Sequence, residues 1–263
     1  MAVIRRAFAD LPGGQIHYAT AGQGEPVLLL HQTPRSWDEF REVLPIVGQR
    51  CRAIAMDTVG FGDSFRPAEP FSVELAARVA IQFLDAIGVQ RAHVVGHHTG
   101  GVVAVELAAT HPERVSKLIL SSTPYVDAAR RQRVASRPPI DEVEYKADGS
   151  HLTALWQRRM GFYPPNRPDQ LARFVIDALK VGDRAEEGHR ACNRYEMERR
   201  IGLIQAPLLI MVGGEDQFAL PEYHNMIERL PQTQRRIIPG GMVPLPDQLP
   251  EEFSEAILEF LSS

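Results

Sequence analysis

The stretch at residues 93–103 constrains the fold more than any other part of the chain. Apolar residues lead into Gly96, a short corner follows, and Gly100 and Gly101 open an apolar helical pattern. Glycines at these points let two backbone segments pass closely, so the pattern predicts a strand, a sharp turn and a helix. In such a frame the middle residue projects from the carboxyl edge of a sheet. Here that residue is His98.

Short apolar runs alternate with helical patterns along most of the chain. The runs predict buried strands at residues 26–31, 52–57, 117–122, 207–212 and 235–239. An opening hairpin at residues 3–8 and 15–20 predicts an antiparallel edge. Strands that alternate with helices pair in parallel through right-handed crossovers, so we expect an α/β fold with a mostly parallel sheet of about eight strands flanked by helices.

Six pieces of sequence, in this order, resemble the α/β-hydrolase superfamily. They are the His31-x-x-Pro34 turn, the glycine-rich loop after Asp57, the corner at His98, a helical stretch, the turn at residues 213–216, and the terminal strand and helix. The form Gly-His-apex-x-Gly is closest to the epoxide hydrolases and the haloalkane and haloacetate dehalogenases. The resemblance implies a core domain of residues 1–123 and 206–263, with a helical lid at residues 124–205.

Two of the three triad positions implied by the resemblance are changed. The family places Asp or Ser at the apex of the nucleophile elbow and a His after the last strand, whereas this chain has His98 and Met242 there. The family's acid corresponds to Asp216. The resemblance also implies an oxyanion hole formed by the backbone N–H groups of Gln32, which replaces a usual glycine, and Thr99.

These changes predict chemistry without a covalent intermediate. An imidazole acts as both acid and base near neutral pH, so we predict a His98–Asp216 dyad that faces the oxyanion hole. Base-assisted hydrolysis of a small ester, lactone, epoxide or activated C–C bond is the first expectation. A cofactor-free lyase, isomerase or decarboxylase, and a degenerate binding protein that keeps only the pocket, stay open as alternatives. His31, Trp37 and Met242 are expected around the pocket.

Composition narrows the partners. The formal charge of −4 provides no basic excess for nucleic acid, so we expect a small-molecule substrate. We expect no cofactor and no metal. A metal site built from His31, His98 and Asp57 is disfavoured, because the side chains of the adjacent residues His97 and His98 should point in different directions. Cys51 and Cys192 fit unpaired thiols in a reducing compartment, although a bridge between them stays open.

The sequence also carries expectations about location. The first residues lack the apolar core of a signal peptide. No run of the chain approaches the ~20 apolar residues of a membrane span. We therefore expect a cytoplasmic protein without membrane association, and nothing in the sequence specifies an oligomeric state.

Overall fold

A computed structural model describes residues 2–263. Its eight strands form one sheet. They are β1 (Arg5–Leu11), β2 (Gly14–Ala21), β3 (Pro26–Leu30), β4 (Arg52–Met56), β5 (Ala92–His97), β6 (Val115–Ser121), β7 (Leu208–Gly213) and β8 (Gln234–Ile238).

The strand order is β1-β2-β4-β3-β5-β6-β7-β8. β1 pairs antiparallel with β2, and β2 pairs antiparallel with β4. Every later pair in this order is parallel. The prediction of a mostly parallel α/β sheet with an antiparallel hairpin at its edge is therefore confirmed.

Helices cover both faces of this sheet. They are α1 (Val43–Val47), α2 (Val73–Ala86), α3 (Thr99–Thr110), α4 (Ala128–Val134), α5 (Ser150–Arg159), α6 (Pro168–Val181), α7 (Glu187–Cys192), α8 (Ala219–Arg229), α9 (Leu245–Gln248) and α10 (Pro250–Ser262). Among residues 2–263 no helix is both long enough and apolar enough to span a bilayer.

The burial of β3 shows why its sequence is continuously apolar. Side chains alternate across a strand. Leu28 and Leu30 pack into the core beneath α2 and α3. Val27 and Leu29 pack into the opposite core, beneath α1 and α10. Both faces of the strand are thus covered, which an alternating polar pattern would not allow.

The sequence predicts a helix after the turn at Pro34, capped by Ser36 or Asp38 and reaching about Gly48, but the structure divides it in two. A single 3₁₀ turn, Trp37–Phe40, is capped by Ser36, and α1 begins only at Val43. Pro45 explains the division, because its ring would clash with the carbonyl four residues earlier in a continuous helix. In α1 it occupies the first turn, where proline is tolerated.

The chain between β6 and β7, residues 124–205, forms helices and turns and contains no strand in the described structure. We call it the helical segment. It has an apolar centre of its own around Leu155, Leu171 and Phe174. The amphipathic pattern of residues 189–201 predicts a helix there, but α7 ends at Cys192 and two 3₁₀ turns follow. The division into core and lid domains stays a prediction.

One anchor joins the end of the helical segment to the sheet layer. The Tyr195 hydroxyl donates to Glu106 Oε2 on α3 at 2.6 Å. The Arg200 guanidinium donates to both oxygens of the same carboxylate, at 2.9 and 3.0 Å. These bonds draw the chain after Cys192 towards α3 where a longer helix had been expected.

Candidate active site

His98 occupies a sharp turn between β5 and α3. Its backbone has φ 48° and ψ −113°, a conformation that a residue with a β carbon rarely adopts. The flanking glycines allow the close approach that this turn needs. A β carbon on Gly100 would lie 2.1 Å from the Leu30 carbonyl oxygen, and one on Gly96 would lie 2.4 Å from the Gly100 oxygen. The local sequence therefore sets His98 at the carboxyl edge of the sheet.

The structure brings His98 and Asp216 together. His98 Nε2 lies 2.8 Å from Asp216 Oδ2, with the carboxylate fully buried and the ring 16% exposed. The two groups are not aligned as a hydrogen bond, so the pair is a close contact between the ring and the carboxylate. Asp216 Oδ1 accepts from the backbone N–H groups of Phe218 and Ala219, at 3.1 and 2.9 Å.

These surroundings keep Asp216 ionised. Burial raises the pKa of the carboxyl, but the His98 ring and the Ala219 N–H outweigh that effect, so its pKa lies below the usual range. An ionised carboxylate at this position stabilises positive charge that develops on the neighbouring ring during a reaction. The pair can accept a proton at His98 and stabilise the charge that results.

Gln32 does not provide the free backbone donor that was expected of it. Its N–H donates to Glu39 Oε2 at 2.8 Å, and its side-chain Nε2 donates to Glu39 Oε1 at 2.6 Å. Glu39 is fully buried and holds both groups. Thr99 is at the first position of α3, where a backbone N–H has no partner within the helix. Its Oγ1 accepts from the Thr33 N–H at 2.6 Å.

A cavity of about 210 Å³ lies over His98. Core residues on its wall include Gln32, Thr99 and Ser122, and the helical segment supplies most of the remaining wall. Apolar side chains from both parts, such as Phe162 and Phe218, line it together with several charged groups. The cavity thus joins an apolar space to the His98–Asp216 pair.

His31 and Trp37 do not line this cavity, contrary to expectation. The His31 ring donates from Nδ1 to the Gln32 carbonyl oxygen at 2.7 Å and accepts at Nε2 from the Thr58 N–H at 2.9 Å. Burial lowers its pKa, so the ring stays neutral and supports the turn. Trp37 packs beneath the Arg6 guanidinium, 5.3 Å from the ring centre.

Met242 is also not part of the cavity wall, and Val243 lines it instead. The Met242 N–H donates to Gln248 Oε1 at 2.7 Å. His97 holds the next residue, because its Nε2 donates to the Val243 carbonyl oxygen at 2.9 Å while Nδ1 accepts from the Ser121 hydroxyl at 3.0 Å. Burial and the adjacent His98 keep the pKa of His97 well below its usual value. The loop after β8 therefore offers an apolar wall here and no proton acceptor.

His189 is a further imidazole of the site, to which the sequence assigned no role of its own. It lies on α7 and lines the same cavity as His98. Its Nε2 is 2.9 Å from Oδ2 of the buried Asp141. The other oxygen of this carboxylate, Oδ1, accepts from Arg159 Nε at 2.6 Å. The pKa of Asp141 is low because Arg159 and His189 outweigh the effect of burial. No motif surrounds His189, so only the three-dimensional arrangement reveals it.

The residues weighed for a metal site are not brought together. Within residues 2–263 the one group with suitable spacing is His17, Asp57 and Asp63, whose ligand atoms lie within 4.8 Å of one another. Positively charged side chains of the protein already pair with one member of this group: the amino group of Lys180 and the guanidinium of Arg6 both contact Asp63. None of these groups lines the cavity.

The sequence profile of the alpha/beta hydrolase fold matches residues 25–245. The chain belongs to the α/β-hydrolase fold family. Among its relatives is the soluble epoxide hydrolase of Corynebacterium sp. (strain C12), 36% identical over 112 residues, which are 43% of this chain and 39% of that protein. This chain thus spans less than half of that relative.

Other α/β-hydrolase relatives match over most of their length. The 2-hydroxy-6-oxo-6-phenylhexa-2,4-dienoate hydrolase of Burkholderia cepacia is 27% identical over 249 residues, which are 86% of this chain and 83% of that protein. The crystal structure of a bromoperoxidase from Bacillus anthracis superposes with a TM-score of 0.82 at 22% identity, over 98% of this chain and 100% of the other. That likeness establishes the fold.

Proposed function

We propose that the protein is a hydrolase of small organic molecules, with His98 as general base and Asp216 as its partner. The observation that carries this proposal is an imidazole on a nucleophile elbow, at the wall of a cavity, 2.8 Å from a buried carboxylate. The hydrolases among its relatives support the reaction class. A small ester, lactone, epoxide or activated C–C bond is the target.

The proposed step activates water directly. With Nε2 beside Asp216, Nδ1 is the ring nitrogen that takes a proton from water, and the hydroxide attacks the electrophilic carbon. Asp216 stabilises the imidazolium, which then returns the proton to the leaving group. The Thr99 N–H is the proposed donor to the developing oxyanion, in the role of an oxyanion hole. No cofactor takes part.

In this proposal the helical segment is a lid over the reaction. It supplies most of the cavity wall beyond the core residues, and its end is fixed to α3 through Glu106. Exclusion of water strengthens each electrostatic contact inside such a site.

The two cysteines are free and buried, which supports the proposed cytoplasmic location.

A second candidate is cofactor-free proton transfer, as in a lyase or isomerase. The observation that favours it is that two imidazoles line one cavity, His98 and His189, and that each lies beside a buried carboxylate, Asp216 or Asp141. Two such groups can remove a proton at one carbon and deliver another elsewhere on the substrate. In this candidate His189 is the second acid–base residue.

One experiment tests both candidates. Activated esters, lactones, epoxides and vinylogous diketones are incubated with the protein in H₂¹⁸O and in D₂O, and the products are analysed by mass spectrometry. Hydrolysis places ¹⁸O in the product, whereas proton transfer places deuterium on carbon without new oxygen. His98→Ala is expected to lose ~10²–10⁴-fold of turnover, because a positioned acid–base group contributes that much.

Asp216→Asn should lose less than His98→Ala, since it removes orientation and charge but leaves the base. His224→Ala is the matched control, because that imidazole is exposed on α8 and outside the cavity. If His98→Ala turns over substrate like the wild type, His98 is not the base. If none of the tested compounds is turned over, the result favours the alternative that the protein binds a small molecule without catalysis.

A further inference from the structure

Two guanidinium groups beside the cavity share a single carboxylate, and a third guanidinium lies near them without one. Arg130 on α4 has its Nε 3.5 Å from Glu222 Oε1 and is 14% exposed. Arg133, one turn later, contacts the same oxygen at 2.7 Å. Arg137 follows α4 and forms no ion pair among residues 2–263. Arg130 and Arg137 line the cavity, whereas Arg133 does not.

Two other charged groups of the cavity wall already have hydrogen-bond partners. Arg159 pairs with the buried Asp141 through two of its nitrogens. Glu186 accepts the backbone N–H groups of Ile140 and Asp141, at 3.0 and 2.9 Å. Of the arginines on the cavity wall, Arg130 shares its carboxylate with Arg133, and Arg137 has no ion pair among residues 2–263, so the end formed by Arg130 and Arg137 has positive charge left for an anion.

The hydrogen bonds of Arg130 orient its guanidinium group but leave one of its N–H donors without a partner. Nη1 donates to Asn193 Oδ1 at 2.8 Å, while Nε has no hydrogen-bond partner. Burial lowers its pKa, and the nearby Arg137 and Arg133 add to that effect, while Glu222 opposes it only in part. Because a guanidinium keeps its proton in proteins, a buried and undercompensated one favours an anion beside it.

We propose that the Arg130–Arg137 end of the cavity binds a carboxylate of the substrate, so that the protein acts on small organic acids in preference to their neutral analogues. This inference rests on the proposed function for the role of His98, which reacts at another part of the same molecule. Arginine pairs with carboxylates through two parallel N–H···O bonds, which fixes orientation as well as charge. A cavity of about 210 Å³ limits the ligand to a compact acid, such as a half ester of a short dicarboxylic acid.

The test measures binding without turnover. Glutarate, which has no bond to cleave, is titrated calorimetrically into the wild type, Arg130→Gln and Arg133→Gln, alongside the uncharged glutaramide and inorganic phosphate. We expect glutarate to bind the wild type and to bind Arg130→Gln at least about tenfold more weakly, which is the loss of roughly one good charged contact. Arg133→Gln removes the same charge from the same ion group outside the cavity, so its affinity should stay within about threefold.

Four results would overturn the inference: no binding of glutarate, equal binding of glutaramide, equal binding of phosphate, or equal weakening by the two arginine substitutions. If Arg130→Gln unfolds, Arg137→Gln takes its place, because that side chain is exposed and has no ion pair to lose. His224→Ala, which changes an exposed residue outside the cavity, should bind glutarate like the wild type, and none of these measurements depends on turnover or on His98 as a base. A failure of the hydrolase proposal therefore leaves this result intact, and the two proposals are tested separately.

A kinetic comparison then links the subsite to turnover. The monomethyl and dimethyl esters of glutaric acid differ by one negative charge at the end remote from the reacting ester. The wild type should prefer the monoester, and Arg130→Gln should abolish that preference mainly through KM. A preference that survives the substitution would contradict the assignment of Arg130.

Discussion

Two non-glycine residues among the described ones have positive φ, His98 at 48° and Ser122 at 46°, and both line the cavity. Each follows a strand at the carboxyl edge of the sheet, His98 after β5 and Ser122 after β6. Backbone conformations of this kind cost ~1–3 kcal/mol and persist only where the surrounding structure enforces them. At His98 this backbone conformation exposes an imidazole to the cavity.

This strain predicts an order of stability for two variants. His98→Gly and His98→Ala both remove the ring, but only glycine adopts the turn without strain. We expect His98→Gly to be more stable than His98→Ala by about 1 kcal/mol, after the entropy that glycine adds to the unfolded chain. Urea unfolding measures the difference, and an alanine variant of equal or higher stability would show that the turn stores no strain.

Glu39 is a buried acid that lies outside the proposed chemistry. Burial raises its pKa to about 8, and Asp247 adds to the effect while Arg35 opposes it. Between its usual value of 4.5 and about 8, the folded protein therefore holds a proton that the unfolded chain has released. Stability from this group is full below the usual value and falls as the pH rises through that window.

Glu39→Gln should remove this slope. The lowered pKa of the buried His31 makes stability rise with pH, but only below the usual histidine pKa of 6.5. Above pH 6.5 this opposite trend is absent. From there to pH 8 the wild type should lose up to about 2 kcal/mol more than the variant. Chemical denaturation at several pH values measures both curves, and parallel curves would mean that Glu39 is ionised in the folded state.

At the scale of elements, α6 fastens the helical segment to the core through charged side chains. Asp177 accepts from Arg35 Nε at 2.8 Å and from the Ser36 hydroxyl at 2.9 Å. Arg173, one turn earlier, donates to Asp38 Oδ2 at 2.5 Å. Arg35 is completely buried, so its charge depends on these partners. The helical segment is thus held at α6 as well as at Glu106.

Asp177→Asn should loosen this junction. It removes a negative charge from a buried arginine that retains Asp247, so we expect a loss of about 2–4 kcal/mol in unfolding free energy and faster proteolysis within residues 124–205. Asp169→Asn is the control on the same helix, because Asp169 forms an exposed pair with Arg167 and should change stability by less than about 1 kcal/mol. Equal effects of the two variants would contradict the anchoring role of Asp177.

Element prediction succeeded where periodicity is strong and failed where side chains act on distant partners. The amphipathic pattern of residues 168–181 predicts a helix, and α6 has these bounds. The region after α7 departs from its pattern, since Tyr195 and Arg200 bind Glu106. A contact with a residue so distant along the chain leaves no mark in the local pattern of apolar residues.

At the scale of the whole molecule, the fold and the central pair were within reach of sequence. The carboxyl ends of parallel strands share one edge, so side chains after β5 and β7 converge, as His98 and Asp216 do. The rest of the wall comes from the helical segment, where His189 and Arg130 have no flanking motif. Gln32 shows a further limit: whether its N–H is free depends on Glu39, a partner that no spacing rule identifies.

The helical segment leaves the sheet after β6 and returns at β7, its immediate neighbour. Leu118 pairs with Leu208 and Ser121 with Met211, and the Ser122 N–H donates to the Met211 carbonyl oxygen at 2.8 Å. The sheet therefore closes in the same register whatever length of chain lies between. For engineering, this closure means that a change of chain between β6 and β7 leaves the strands that position His98 and Asp216 paired as before, provided that buried partners such as Arg35 and Glu106 are kept satisfied.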